Sequence, residues 1–177
     1  MEIKSLNPKK FKSLITPELL NELLNNKQNS LNIKLFDCTY PSDRGYNLFK
    51  TVRIANANFF DFDFFRSDQI IKSSQLSLGF PNLKQIENFV KKYEIKNSDQ
   101  IILYDQYGIH SSPRAWFLLN SYNIKNISIL NGGLPLWMKN KFPINTEYYE
   151  EEENESEESE ELEEGNKGIF VFFCIFL

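Results

Sequence analysis

The stretch Ile101–Phe117, IILYDQYGIHSSPRAWF, determines the expected fold of this 177-residue chain. Its first four residues form an apolar run that is too short for a helix and is typical of a buried strand. A loop, Asp105–His110, follows, and Pro113 then opens a segment with a helical pattern. In a parallel α/β sheet the carboxyl ends of strands are where ligands bind, and the amides of such a loop and helix start can converge on an anion. The alternative is a plain structural turn capped by Ser111 or Ser112. The predicted binding loop consists of Asp105, Gln106, Tyr107, Gly108, Ile109, His110 and Ser111.

Strand and helix patterns alternate on both sides of this stretch. Thr16 can N-cap one helix, and Asn82 can cap a second over residues 83–95. SDRGYN, residues 42–47, is predicted to be a loop, and LPLWMKN, residues 134–140, a short last helix after an Asn-Gly-Gly turn. Apolar runs typical of strands occur within residues 31–41, 52–63 and 126–130. The alternation predicts an α/β fold, a mainly parallel sheet with helices on both faces.

Charge divides the chain into a basic body and an acidic end. Residues 1–146 hold 19 Lys and Arg against 12 Asp and Glu, a net of +7, whereas residues 147–177 hold 12 Glu against one Lys, a net of −11. We therefore expect a folded domain over residues 13–147, an acidic disordered segment over 148–164 and a short apolar tail over 165–177.

The apolar run inside that tail, residues 169–177, is nine residues long. A membrane-spanning helix needs about 20 residues, so no membrane partner is expected. The run could be a β-prone tail, a weak anchor or a segment foreign to the natural product.

The small numbers of cysteine and histidine residues limit the disulfide and metal sites that the chain can form. Two cysteines, Cys38 and Cys174, cannot build a disulfide framework, and with a single His a zinc site within the chain is close to excluded. We expect no metal and no cofactor. Scattered lysines without interleaved aromatic residues give no support for a nucleic-acid partner. The N-terminus is lysine-rich but has no arginine near it, so a cytoplasmic location is expected, with a mitochondrial one as the alternative.

Four ordered segments resemble the rhodanese superfamily, and specifically the N-terminal half of two-domain thiosulfate and 3-mercaptopyruvate sulfurtransferases. LFDCTY resembles the first strand of that half and its exit, and RIANANFFDFD stands where the family has His-Ile-Pro-Gly-Ala followed by Phe-Phe-Asp-Ile-Asp. SSPRAWF resembles Ser-Ala-Pro-Arg-Val-Trp-Trp, and ILNGGLPLWMKNKFP resembles the Leu-Asp-Gly-Gly-Leu-x-x-Trp ending. The resemblance covers about residues 13–147 and implies a rhodanese-like fold.

The same resemblance implies that this chain lacks the family's nucleophile. Active rhodanese domains carry Cys-x-x-Gly-x-Arg-Ser in the loop, and their thiolate takes up sulfur as a persulfide. Here Asp105 stands at the cysteine position and His110 at the arginine position. In the two-domain enzymes the second rhodanese domain, absent from this chain, supplies the cysteine. A small sulfur-containing anion remains a possible ligand.

Three further residues have open roles. Asp63 matches a family position near the inter-domain active site, where it would order the cleft, or it is a capping carboxylate. Arg114 suits a buried pair with an acid such as Asp105. Cys38 is a structural thiol or a nucleophile. Three hypotheses follow: a non-catalytic N-terminal half, a stand-alone inactive binding module, or an active sulfurtransferase that works through Cys38.

Overall fold

The computed structural model describes residues 13–26, 31–65 and 80–149. The predictions for Cys174, for the N-terminal residues and for most of the acidic and apolar tail lie outside these ranges. The described strands are β1 (Leu14–Ile15), β2 (Ile33–Asp37), β3 (Arg53–Ile54), β4 (Ala57–Phe59), β5 (Gln100–Tyr104), β6 (Ile127–Leu130) and β7 (Ile144–Asn145). The described helices are α1 (Pro17–Asn25), α2 (Ser42–Thr51), α3 (Leu83–Lys92), α4 (Ser112–Ser121) and α5 (Gly133–Lys139), with one 3₁₀ turn at Asp63–Phe65.

Five strands form a sheet in the order β1-β6-β5-β2-β4, and each neighbouring pair is parallel. The strand β5 lies at its centre and is buried along its whole length. The register pairs Asp37 at the end of β2 with Tyr104 at the end of β5. The loops that leave these two strands therefore start side by side at one edge of the sheet.

Alternate residues of β5 face two separate cores, which confirms the prediction of helices on both faces. Ile101 and Leu103 pack in a cluster with α3 and α4, whereas Ile102 and Tyr104 pack in a cluster with α1, α2 and α5. The Tyr104 hydroxyl also accepts the Ile54 N–H (3.2 Å), which ties the sheet centre to β3.

Two helix starts agree with the sequence prediction. The Thr16 hydroxyl accepts the Leu19 N–H at 3.3 Å, and Pro17 is the first residue of α1. Asn82 and Gln85 form a reciprocal capping box at the start of α3.

The predicted loop over residues 42–47 is wrong, because this segment is the first part of α2. Its one apolar stripe, Tyr46 and Phe49, packs against the sheet and offsets the low helix propensity of Gly45. Glycine is required at position 45 for packing, since a Cβ there would lie 2.2 Å from the Thr39 carbonyl oxygen.

The chain remains packed on α2 just beyond the predicted domain boundary at residue 147. The Arg53 guanidinium donates to the Glu147 carbonyl oxygen (2.9 Å) and lies 5.0 Å from the Tyr149 ring centroid. The Tyr149 N–H in turn donates to the Lys50 carbonyl oxygen at 3.2 Å, and the Lys50 ammonium lies 5.4 Å from the Tyr148 ring. We call this group, Lys50, Arg53 and residues 147–149, the tail clamp.

Across the part of the chain that the structure describes, no helix is both long enough and apolar enough to cross a membrane.

Candidate functional site

The carboxylate of Asp105 points into the loop that follows β5. Its Oδ1 accepts the Tyr107 N–H (3.1 Å), and its Oδ2 accepts three more N–H groups and one hydroxyl. These donors to Oδ2 are the N–H groups of His110 (2.8 Å), Ser111 (3.1 Å) and Ser112 (3.0 Å) and the Ser112 hydroxyl (2.8 Å). The loop therefore has the convergent amides of an anion-binding cradle, and the side chain of its own first residue occupies the centre.

The alternative of a turn capped by a serine side chain does not describe this helix start. Ser111 is the N-cap residue of α4 without a side-chain cap hydrogen bond, and its buried hydroxyl has no hydrogen-bond partner among the described residues. The Ser112 hydroxyl donates to Asp105 instead. The first amides of α4 are thus capped by a carboxylate six and seven residues upstream.

The Asp105 side chain is charged at neutral pH although it is buried. Burial raises the pKa of the carboxyl, but the hydrogen bonds from the Ser112 and His110 N–H groups, the Ser112 hydroxyl and the Tyr107 N–H outweigh it. The net result is a pKa below the ordinary value of 3.8. A full negative charge is therefore fixed where an anionic ligand would otherwise bind.

The Asn-Gly-Gly turn after β6 packs directly against the backbone of the binding loop. Gly133 has a φ of +51°, and a Cβ on it would lie 2.4 Å from the carbonyl oxygens of both Asp105 and Gly108. The next residue, Leu134, donates its N–H to the Asp105 carbonyl oxygen (3.0 Å). The sequence marks these glycines as a turn, whereas their contact with the loop depends on the parallel pairing of β5 and β6.

A second buried carboxylate, Asp37, belongs to the site and was not predicted. It accepts the N–H (3.1 Å) and hydroxyl (2.5 Å) of Thr39 and the Nε2 amide of Gln106 (2.6 Å). The Thr39 hydroxyl accepts the Gln106 N–H at 2.9 Å, so this network links the exit of β2 to the binding loop. The signal available in the sequence was the polar residue at the end of a strand adjacent to β5.

Burial raises the pKa of Asp37 from 3.8 to about 7. The hydrogen bonds from Thr39 and Gln106 lower it, and the negative charge of Asp105 raises it further. The pKa values of the two carboxyls therefore shift in opposite directions, because burial dominates at Asp37 and the hydrogen bonds of the loop dominate at Asp105.

The predicted burial of Arg114 is wrong, because this residue is exposed in the first turn of α4. The Asp105 oxygens accept the loop amides and the Ser112 hydroxyl, and the Arg114 guanidinium lies 5.9 Å from the Phe62 ring centroid. His110 is exposed, and its ring contacts that of Tyr107 at 6.0 Å between centroids.

Asp63 belongs to the segment that follows β4 and not to the binding loop. It is exposed at the start of the 3₁₀ turn, where its N–H donates to the Asp61 carboxylate (2.8 Å). Both aspartates line a cleft next to β4.

Cys38 has the environment of a structural thiol. Its side chain is fully buried in the core that includes Phe36, and its Sγ lies 3.7 Å from the Phe36 carbonyl oxygen. Burial, and then the carboxylates of Asp37 and Asp105, raises the pKa of this thiol well above its ordinary value. Both effects oppose the thiolate that a nucleophile needs.

Within residues 13–26, 31–65 and 80–149, no three His, Cys, Asp or Glu side chains form a group that could hold a metal ion.

Comparison with known proteins places this site in a family. The rhodanese-like domain family matches residues 16–140. The chain is 25% identical to thiosulfate sulfurtransferase of Gallus gallus over 141 residues, which are 77% of this chain and 47% of that protein. It is 26% identical to 3-mercaptopyruvate sulfurtransferase of Mus musculus over 145 residues, 78% of this chain and 48% of that protein.

Solved structures share the fold. The 3-mercaptopyruvate sulfurtransferase of Leishmania major matches with a TM-score of 0.66 and 18% identity, over 82% of this chain and 39% of that one. SseA of Escherichia coli matches with a TM-score of 0.64 and 22% identity, over 79% and 52%. The chain spans about half the length of the curated relatives it matches. Because the family match covers most of its length, this chain belongs to the rhodanese-like domain family.

Proposed function

We propose that this chain is a non-catalytic rhodanese-like domain, similar to the N-terminal half of a thiosulfate or 3-mercaptopyruvate sulfurtransferase. One observation supports this most directly: the Asp105 carboxylate takes the loop hydrogen bonds that would stabilise a thiolate or an anionic substrate. A carboxylate forms no persulfide, and its charge repels a second anion. In this proposal the loop therefore has no sulfur nucleophile and does not bind an anionic substrate.

Its partner in this proposal is a second rhodanese domain that provides the cysteine. The match to about half of each curated relative supports this, since the other half of those proteins lies outside the matched region. The side chains of Tyr107 and Ile109, 49% and 45% exposed, leave apolar surface on the loop itself that such a partner would cover.

A stand-alone binding module is the second candidate, and the same exposed side chains favour it, because they suit any apolar protein partner. A search of the downstream coding region for an in-frame Cys-x-x-Gly-x-x segment separates the two candidates. Activity through Cys38 is the least supported reading, because that thiol is buried and its pKa is raised.

The test is a sulfurtransferase assay on the full chain with thiosulfate and cyanide and with 3-mercaptopyruvate. We expect no turnover above the buffer background. Turnover that disappears in Cys38→Ser would overturn the proposal and establish Cys38 as the nucleophile. Turnover that survives Cys38→Ser and is lost in Cys174→Ser would overturn it in favour of the second cysteine.

A further inference from the structure

A cleft of about 850 Å³ lies beside β4, at the open edge of the five-stranded sheet, and takes no part in the binding loop. Its walls come from the start of α2, the end of α3 and the segment around the 3₁₀ turn. Three carboxylates, those of Asp43, Asp61 and Asp63, line it together with one ammonium group, that of Lys92. The described residues of the lining therefore carry a formal charge of −2.

Aromatic rings form most of the remaining described wall, among them Tyr46, Phe59 and Tyr149. Rings of this face already attract cations of the chain itself, since Lys50 lies 5.0 Å from the Tyr46 centroid and Arg53 lies 5.0 Å from that of Tyr149. Carboxylates next to ring faces suit a cationic head on an apolar stem, because the rings contact the stem and the carboxylates neutralise the head.

Ser42 supplies an independent indication that a polar group belongs in the cleft. It lines the cleft, it is only 6% exposed, and its hydroxyl has no hydrogen-bond partner among the described residues. A buried hydroxyl without a partner is costly and uncommon in folded proteins. An N–H donor from a ligand would satisfy its oxygen.

The lining favours an organic cation over a metal ion, because no metal-binding group of side chains occurs among the described residues. Its volume exceeds that of one side chain and suits a short segment of polypeptide. Charge in the sequence points the same way: Tyr149 lines the cleft, and the four residues after it are all Glu. Such an acidic run attracts a partner with several positive charges.

From these observations we infer that the cleft beside β4 binds a lysine or arginine side chain presented by a basic polypeptide segment. The cationic head lies between the carboxylates of Asp43 and Asp61 and donates to the Ser42 hydroxyl. This binding is separate from the proposed role of the loop and does not depend on it.

The first test measures binding of a fluorescent peptide of glycine, serine and four lysines to the full chain by anisotropy, at about 100 mM salt to screen distant charges. Asp43→Asn combined with Asp61→Asn should weaken binding about fivefold, as two partly exposed ion pairs are lost. The asparagine amide keeps the acceptor that position 61 offers to the Asp63 N–H. The matched control, Glu18→Gln with Glu22→Gln, makes the same charge change on α1 and should change affinity less than about twofold.

Equal effects of the two double variants, or no binding at all, would overturn the inference, since the attraction would then be general or absent. The same peptide with acetylated lysines should not bind. If free spermidine binds as tightly as the peptide, the polypeptide source is wrong.

A second variant separates binding from folding. Ser42→Ala removes a hydroxyl that has no partner among the described residues, so the thermal midpoint should stay the same or rise, while peptide affinity should fall about threefold. An unchanged affinity would contradict the placement of the cationic head. So would a lower midpoint, because the hydroxyl would then have a partner within the protein.

Discussion

The carboxylate of Asp105 takes hydrogen bonds that the first turn of α4 leaves open. The first amides of any helix lack partners within it, and here the Ser111 and Ser112 N–H groups donate to one carboxylate oxygen. The negative charge also lies at the positive end of the helix dipole. At the residue scale, Asp105 is therefore both the occupant of the loop and its structural support.

Replacing Asp105 should empty the loop and reveal an anion site. Asp105→Ala should lower the free energy of unfolding by about 2 kcal/mol, because buried amides lose their acceptor. Sulfate should then restore part of that loss by binding to the freed amides. The measurement is urea unfolding in sodium sulfate and in sodium chloride at equal ionic strength.

The wild type is the control for that experiment, since sulfate stabilises most proteins to some degree. A selective gain by Asp105→Ala supports the cradle. If sulfate stabilises both proteins equally, the amides do not converge once the carboxylate is gone.

Asp37 should make the protein less stable as the pH rises from 4 to 7. Its pKa in the folded state is about 7 against an ordinary 3.8, so in this interval the folded protein holds a proton that the unfolded chain releases. The free energy of unfolding should fall relative to that of Asp37→Asn by up to about 4 kcal/mol across the interval, and no further above it. Asp105 acts in the opposite direction, because its lowered pKa contributes stability that is lost only as the pH falls below about 4.

Urea unfolding of both proteins at several pH values between 4 and 8 measures this difference. The side-chain amide that Asp37→Asn introduces keeps an oxygen acceptor for Thr39 without a titratable proton. A constant difference between the two proteins at all pH values would show that Asp37 is ionised in the fold.

At the scale of elements, the loop depends on the turn before α5. Gly133→Ala should destabilise the protein by 3 kcal/mol or so (about 1–2 from the positive φ and the rest from the clash), since its Cβ would meet two carbonyl oxygens at 2.4 Å. Chemical unfolding is the measurement. Met138→Ala, an exposed change on the same helix, should cost less than about 1 kcal/mol. Similar losses for the two variants would mean that the loop yields to the added methyl group.

Elements with local signals were predictable, and those that depend on packing were not. The caps at Thr16 and Asn82 depend only on residues close by in the sequence, so the starts of α1 and α3 could be predicted. In contrast, α2 begins with Ser42 and contains Gly45, and it becomes a helix because Phe49 is buried against the sheet. The short strands β1 and β7 have no sequence pattern of their own and exist through pairing with β6 and β3.

The same distinction applies to the candidate site. Asp105 could be identified because the loop is continuous in sequence. The direction of its side chain was left open, and the Asp37 network was missed, since Gln106 reaches Asp37 from 69 residues away. Arg114 was expected to be buried beside an acid and is exposed instead, since backbone N–H groups of the loop surround the Asp105 carboxylate.

At the scale of the whole molecule, the first residues of the acidic end of the chain are packed against the folded domain. The tail clamp holds residues 147–149 on α2 through one charge-assisted hydrogen bond and several ring contacts. A chain that ends at Thr146 should therefore be less stable than one that ends at Tyr149, by about 2 kcal/mol. Differential scanning calorimetry of the two shortened chains checks this.

Arg53→Met in the full chain should reproduce most of that loss, because it removes the cation that contacts both Glu147 and Tyr149. Identical midpoints for the two shortened chains would show that the clamp contributes nothing to folding.

The close packing of Gly133 against the loop assigns the shape of the loop and its charge to two different residues. The shape of the loop is held by a residue outside it, whereas the charge at its centre comes from the side chain at position 105. A substitution at position 105 can therefore change the chemical group at the centre of the loop while the glycine that supports its backbone stays in place. A substitution at position 133 acts on that support instead, because an added Cβ would meet the carbonyl oxygens of Asp105 and Gly108.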